Sequence, residues 1–385
     1  MRKGWEYKKL GEVCTIKAGY TPKKNELSDN GAYPYYKVAD MNTLGNDVYL
    51  DITSSYKIDA NKLFPKGAIV FPKNGAAVST NKKRILKYDS IVDLNTGVAI
   101  FPKSINEKFA YYWFIDTDFK KYVRGGALPT LDIKSLKDKP FPSIDKSIQL
   151  AIVSELDKIN ELIRLKKEQL KDFDNLAQSL FYEMFGDPME NEKGWEVKKL
   201  GEIGEFKNGL NFSKDEKGHS IKFLGVSDFQ NKKSIASDQL AYISLSERVQ
   251  EDYLLKTGDL VFVRSNGKKE LIGRSVKMYI TEPTTYSGFC IRCRITDEKV
   301  DKDYIAILLK TPIIRQFMTN SGRGCNISNL NQKILNSIPT ILPPLPLQRL
   351  FAQRIEQIER EKSEVQKSIQ DLETLLASRM QYWFE

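Results

Sequence analysis

The feature that most limits what this chain can fold into is a heptad seam that occurs twice. Between residues 148 and 185, Ile152, Leu156, Ile159, Ile163, Leu170, Phe173, Ala177, Leu180 and Met184 fall at alternating steps of four and three, with Lys166 the one polar break. That spacing places all of them on one stripe of an α-helix that packs lengthwise against another helix. Roughly 38 residues rising about 1.5 Å each make a rod of about 57 Å. A helix of that length is expected to run between domains rather than fill one. The seam returns 199 residues later as Phe351, Ile355, Ile358, Lys362, Val365, Ile369, Leu372, Leu376, Arg379 and Trp383, eight of them apolar. Its flanks return too: Pro140 maps to Pro339 and Gln149 to Gln348. Two unrelated amphipathic helices on separate cores would leave this shared offset unexplained.

The duplication runs through the chain. Gly4-Trp5-Glu6-Tyr7-Lys8-Lys9-Leu10-Gly11-Glu12-Val13 returns as Gly194-Trp195-Glu196-Val197-Lys198-Lys199-Leu200-Gly201-Glu202-Ile203. The offset is 190 there and 199 at the helices, so the second copy carries about nine more loop residues. Between these ends, Val38-Ala39-Asp40 matches Val226-Ser227-Asp228, and Gly67-Ala68-Ile69-Val70-Phe71 matches Gly258-Asp259-Leu260-Val261-Phe262. Thr96-Gly97 is matched with Ser287-Gly288, Arg124-Gly125 with Arg323-Gly324, and Leu131 with Leu330. Such a repeat sets the order: globular unit, long helix, globular unit, long helix.

Each unit reads as mixed α/β. Short β-rich runs at 68–71, 98–101, 260–263 and 290–295 are bounded by Gly, Pro and Asn, and helical stretches follow over 107–123 and 303–318. Pro312 is expected to kink or break the second stretch. Residues 341–346, Ile-Leu-Pro-Pro-Leu-Pro, read as a stiff extended lead into the last helix, and Gly186-Asp187-Pro188 as a helix stop. The expected fold class is α+β: a globular domain over 1–145, a spacer helix over 146–186, a second domain over 187–344 and a second helix over 345–385. The second unit begins where the first helix ends and finishes where the second helix starts. If that unit is compact, the helices run antiparallel, giving a dumbbell with a pseudo-twofold internal repeat.

At 385 residues and 41% hydrophobic, the chain has material for two or more real cores. Its net charge of +10 suits an anionic partner, nucleic acid first, although charge alone supports this only weakly. The opening residues lack the apolar core of a secretory signal, and no run approaches a membrane span. Four cysteines without such a signal point to a reducing cytosol, so a cytoplasmic protein with no membrane partner is expected.

Signatures of catalysis are missing. The single histidine, His219, sits in a polar stretch read as a solvent-facing loop. Cys290 and Cys293 fit C-x-x-C, but residues three apart on a strand face opposite ways, which suits neither a metal nor a disulfide. The sequence has no G-x-x-x-x-G-K-[ST] loop, no G-x-G-x-x-G after a strand and no Asn-Pro-Pro-aromatic motif. No catalytic residue, metal or cofactor is expected on this chain, which reads as a binder.

The polar positions suit DNA. In the first unit, Lys73 and Asn74 follow a strand, and Lys82, Lys83 and Arg84 follow in the next loop. In the second, Arg264, Ser265, Asn266, Lys268 and Lys269 occupy the matching place, then Arg274. Cations neutralise phosphates, while Arg and Asn can read base edges in bidentate fashion. The bland alternative is a pair of solvated basic turns. Arg124 and Arg323 each precede a glycine at one repeat position, where they either touch phosphate or cap the preceding helix. Lys362 and Arg379, like Lys166, interrupt the seams. They either reach acids on the facing helix and hold register, or contact a docked subunit, or, the simpler reading, snorkel at the seam's edge.

The whole chain resembles the DNA specificity subunit of type I restriction–modification systems. The resemblance rests on the duplicated Gly-Trp-Glu-x-x-Lys-Leu-Gly-Glu starts and on Gly258-Asp259-Leu260-Val261-Phe262-x-Arg264-Ser265. It rests also on Arg323-Gly324-Cys325-Asn326-Ile327-Ser328 leading to Leu335-x-x-Ile338-Pro339, and on the two long helices. It implies two target recognition domains that each read half of a bipartite, asymmetric DNA site, with the helix pair setting the gap between the halves. It implies two modification subunits using S-adenosylmethionine and restriction/translocase subunits using ATP and Mg, all on partner chains. The chain would then be the complete two-unit form. Half-sites one helical turn apart lie about 34–36 Å between centres, within reach of readers at the ends of such a rod. The competing readings are an adaptor with two protein-binding modules on a coiled-coil rod and an unrecognised nuclease or methyltransferase.

Overall fold

A computed structural model describes the chain except for residues 1, 3, 58–61, 127–128, 213–215, 231, 266–270 and 321–328. It divides into two compact units, residues 1–168 with 366–385, and residues 169–365.

The strands of the first unit are β1 (Glu6–Lys9), β2 (Thr15–Ala18), β3 (Tyr33–Tyr36), β4 (Tyr49–Leu50), β5 (Tyr56–Lys57), β6 (Ile69–Pro72), β7 (Arg84–Leu86), β8 (Ile91–Val92), β9 (Thr96–Ile100), β10 (Val123–Arg124), β11 (Thr130–Leu131) and β12 (Pro140–Ser143). Five form the main sheet in the order β2-β9-β6-β7-β4, antiparallel except for β7–β4, and three form the sheet β5-β3-β8. The second unit supplies β13 (Glu196–Lys199), β14 (Gly204–Asn208), β15 (His219–Leu224), β16 (Ser234–Ala236), β17 (Tyr242–Leu245), β18 (Leu260–Val263), β19 (Ser275–Tyr279), β20 (Thr284–Tyr286), β21 (Cys290–Ile295) and β22 (Pro339–Leu342). Its sheets have the same design, β14-β21-β18-β19-β16 with one parallel pair, and β17-β15-β20. The fold is α+β, used twice.

Both faces of each main sheet are buried, as the unbroken apolar runs of the central strands require. Ile69, Phe71, Ile85 and Ala99 join one core, while Val70, Leu86 and Val98 join another. In the second unit Phe262 and Cys293 face one core, and Val263 and Cys290 the other. Cys290 and Cys293 thus do point to opposite sides, and burial pushes both thiols up to about 12.

The repeated Trp-Glu-x-x-Lys start is a closing strand. β1 pairs antiparallel with β12, Glu6 opposite Ser143, and β13 pairs with β22, Glu196 opposite Leu342. Leu10 and Leu200, immediately after, are fully buried. Sheet register also corrects one internal match. Ala99 and Cys293 lie opposite Ile69 and Leu260, so Thr96-Gly97 corresponds to Cys290-Ile291, and Ser287-Gly288 corresponds to Asp93-Leu94. The Thr-Gly and Ser-Gly likeness was compositional and three residues out of register.

The helical stretches are shorter than periodicity suggests. Helix α1 (Glu107–Asp116) ends at Thr117, before a 3-10 turn over Phe119–Tyr122. In the second unit α3 (Lys302–Leu308) and α4 (Pro312–Asn320) are separate, with Pro312 opening the latter. Proline fits a first helical position because its missing N–H has no partner there in any case. His219 is the exposed first residue of β15, opposite Leu245, rather than a loop residue.

The two long helices are α2 (Lys146–Phe185) and α5 (Leu345–Phe384). Because α5 begins at Leu345, Pro346 lies in its first turn and only residues up to Leu342 are extended. Gly186, at φ +77°, ends α2, its N–H donating to the Tyr182 carbonyl at 2.8 Å. In the first unit Ile152, Leu156, Ile159 and Ile163 of α2 are buried, as are Met380 and Phe384 of α5. Glu155 accepts from the Arg379 guanidinium, which holds its carboxyl below the usual range, and Lys167 meets Glu373 at 2.7 Å. In the second unit Phe181 and Phe185 pack on Phe351, with centroids 5.7 and 5.1 Å apart, and Lys362 reaches Asp174 at 2.5 Å. Within each unit, rising numbers on α2 meet falling numbers on α5, so the segments are antiparallel. The seam cations Lys362, buried, and Arg379, half-buried, bond to acids on the facing helix instead of snorkelling, because a charge withdrawn from water requires a partner. Lys166 is half-buried.

The paired glutamines have one job. Gln149 Oε1 accepts the Asn106 N–H at 2.8 Å, and its Nε2 donates to the Ile144 carbonyl at 2.9 Å. Gln348 Oε1 accepts the Asp301 N–H at 2.9 Å, and its Nε2 donates to the Pro343 carbonyl at 2.7 Å. Asn106 and Asp301 are the N-caps of α1 and α3, so each glutamine pins a capped domain helix to the start of a long helix. Gln149→Ala or Gln348→Ala leaves buried donors and acceptors unpaired. Each is expected to cost about 3 kcal/mol in chemical denaturation, against a few tenths for Gln366→Ala on the exposed face of α5.

Candidate nucleic-acid interface

The turn after β6 is built by its neighbours. Lys73 donates its N–H to the Asn95 carbonyl at 2.8 Å and accepts from the Leu131 N–H at 2.9 Å. Asn74 lies opposite Thr130, and Thr130 opposite Arg124 in the β10–β11 hairpin. Gly75 turns the chain at φ +76°. The Asn74 amide is 3.4 Å from the Asn95 side-chain oxygen. Lys73, Asn74 and Arg124 therefore meet on one surface. The Arg124 side chain is 70% exposed and projects from this hairpin, pairing at 2.5 Å with Asp132, the N-cap of a short helix over Ile133–Lys137.

The second unit repeats the frame with other side chains. Arg264 donates its N–H to the Phe289 carbonyl at 2.8 Å and accepts from the Leu330 N–H at 2.8 Å. Arg264 thus has the backbone environment of Lys73, and Phe289 that of Asn95. Ser265 follows, half-buried. Arg274, half-buried at the far end of the same segment, donates to the Gln230 carbonyl at 2.6 Å. Asn266, Lys268, Lys269 and Arg323 lie outside the described residues.

Two residues expected at this surface belong to the interior. Lys83 is fully buried, donating to Asn81 Oδ1 at 2.6 Å and to the Thr117 carbonyl at 2.7 Å beneath the Phe119 ring. Period-two alternation carried the signal, because Lys83 shares a face with buried Ile85. The Arg84 guanidinium is spent on the carbonyls of Met41, Asn46 and Lys83, which locks a long loop to β7. Lys82 is half-buried and donates to Asn42.

Asn95 and Phe289 were not anticipated, nor was exposed Leu94. Phe289 is 60% exposed beside Arg264, where an aromatic face can stack on a base or sugar. A signal was present in Lys17-Ala18-Gly19 and Lys207-Asn208-Gly209. A Cβ on Gly19 would sit 2.2 Å from the Asp93 carbonyl oxygen, and one on Gly209 2.2 Å from that of Ser287. Both glycines let an edge strand press on the turn that presents these residues.

Burial lowers Lys83 to about 7 from its ordinary 10.5, with Lys139 adding to the fall. Between those values the unfolded chain holds a proton that the folded chain has lost, so stability rises with pH from about 7 to about 10. Denaturation across that range is expected to show this rise, and Lys83→Met to flatten it.

The sequence matches the family model described as the type I restriction modification DNA specificity domain twice, over residues 2–172 and 192–374. It is 24% identical to the MjaIX specificity subunit of Methanocaldococcus jannaschii, over 97% of this chain and 91% of that one. It is 21% identical to the StySPI specificity subunit of Salmonella potsdam, over 98% and 87%. Among solved structures, a chain from a study of type I R-M complex assembly and conformational transition superposes with a TM-score of 0.67 at 17% identity, over 100% and 98%. The S subunit from M. genitalium gives a TM-score of 0.53 at 15% identity, over 99% and 96%. Two matches that together span most of the chain, on two units of one topology, establish that this protein belongs to the type I restriction–modification DNA specificity family.

Proposed function

We propose that each unit reads one half of a bipartite, asymmetric DNA site through the turn that follows β6 or β18. One observation carries this reading. The same backbone frame, with the same pair of hydrogen bonds, presents Lys73 and Asn95 in one unit and Arg264 and Phe289 in the other. A shared frame with different side chains is what two related readers of two different half-sites require. Lys73, Asn74, Arg124, Arg264, Ser265 and Arg274 are the contacts we assign within the described residues. Asn266, Lys268, Lys269 and Arg323 complete the set by sequence.

In this reading the long helices fix the gap between the half-sites, and the chain performs no chemistry. Modification subunits, two in number, bring S-adenosylmethionine. Restriction subunits bring ATP and Mg. The site of action is the cytoplasm.

The test begins with a methylome. Deleting the gene should erase one gapped adenine-methylation motif genome-wide, and its two halves would identify what each unit reads. Arg264→Ala and Lys73→Ala are each expected to weaken sequence-specific binding by about 1–3 kcal/mol while leaving the unfolding midpoint unchanged. Unaltered affinity in both would remove these turns from the interface. Matched one-heptad insertions in α2 and α5 should lengthen the gap, whereas an insertion in α2 alone should disrupt the helix pairing. An unchanged gap after matched insertions would defeat the ruler. Weak, salt-insensitive DNA binding would instead favour the adaptor.

A further inference from the structure

In the second unit a cavity of about 260 Å³ opens beside Gly273 and Arg274, whose backbone bonds to Val263, the residue before Arg264. Five basic residues line it, Lys232, Lys233, Arg274, Lys310 and Arg315, and no acidic side chain does so among the described residues. Their geometry is held from several elements. Arg274 leaves the start of β19, Lys233 precedes β16, and Lys310 and Arg315 come from the end of α3 and from α4. Lys310 donates to the Lys233 carbonyl at 3.0 Å, and Arg274 to that of Gln230, a non-glycine residue held at φ +34°. Lys233's own ammonium turns away to Glu359 at 2.6 Å, which leaves Lys232, Arg274, Lys310 and Arg315 as the other basic residues of the lining. Lys232 and Arg315 are exposed, so the cavity reaches solvent.

The first unit differs at two of these positions. Sheet register sets Val48 at the position of Lys233, since each carbonyl accepts the N–H of the matching strand residue, Ile85 or Lys277. The offset of the helix caps sets Ile115 at the position of Lys310. The same register sets Lys82 at the position of Arg274, so the first unit shares that cation and lacks those of Lys233 and Lys310.

We propose that this cavity seats a phosphate group, and that the phosphate belongs to the backbone of the duplex read by the adjoining segment. Four cations around one cavity, with no carboxylate in its described lining, are a phosphate's partners, and arginine and lysine are the residues that neutralise it. Burial lowers Lys310 to about 8, with the Lys233 charge adding to the fall and Glu359 opposing it, and a bound anion would raise it again. The continuity with Arg264 and Arg274 selects DNA over a free anion. The inference rests on the DNA-reading role proposed above.

The experiment uses the full chain, alone and with its co-purified partners. It compares wild type with Lys310→Met and with the double variant Lys232→Gln/Arg315→Gln, whose positions are exposed and tolerate change. Binding to the duplex identified by methylome mapping is measured from low to high salt. The expected result is that the slope of log K against log salt falls by about one per lost phosphate contact, with the preference among duplex sequences unchanged. Unchanged slopes in both variants overturn the seat but leave the reading role standing. A wild type without sequence preference overturns the reading role, and the same slopes on any duplex still decide the seat. A titration with inorganic phosphate separates the sources: variant-sensitive phosphate binding with unaltered DNA slopes would assign the cavity to a free anion and overturn the proposal.

Discussion

Everything distal in each unit depends on one buried amide. Gln149 and Gln348 are each 1% exposed, and each bridges a strand exit, a long helix and the cap of a domain helix. A glutamine can do this because its side chain accepts at one end and donates at the other, so a single residue satisfies groups from three elements. A carboxylate of equal reach could accept but not donate. The domain helix it holds packs on the main sheet, and that sheet carries the turn with Lys73 or Arg264. An error at the clamp would therefore be carried to the side chains of that turn.

Much of this was legible before any coordinates. The seam positions, the Pro140/Pro339 and Gln149/Gln348 matches and the Gly186 stop follow from periods and offsets, which the backbone must obey. What stayed hidden was set by tertiary contacts. Lys83 and Arg84 read as part of a basic loop, yet one fills a core gap beneath Phe119 and the other satisfies three carbonyls. Charge in sequence does not say whether a cation faces water or a carbonyl. Asn95 and Phe289 share no chemistry, so no repeat of letters could pair them, and only the hydrogen bonds show that they hold one position.

The units also differ where their domains meet the long helices. In the first, Tyr49 bonds to Glu107 at 2.9 Å, and Tyr112 and Lys108 converge on Asp157 at 2.7 Å each. In the second, the corresponding positions hold Ser234, Ile307 and Asp303, and a cleft of about 850 Å³ takes the place of the aromatics. Lys277–Asp303 and Lys233–Glu359 cross it. Each domain thus meets its long helix through an ion pair that salt can screen, Lys108–Asp157 in the first and Lys233–Glu359 in the second.

The closing strands have a consequence for how such proteins diversify. Because β1 pairs with β12 and β13 with β22, the chain enters and leaves each globular unit on two neighbouring strands. A unit attached in that way is a cassette. Exchanging the stretch between Lys9 and Pro140, or between Lys199 and Pro339, cuts the chain at points a few ångströms apart and leaves the helices and their seams untouched. A population can then acquire a new reading head in a single recombination, keeping the scaffold that every head must fit.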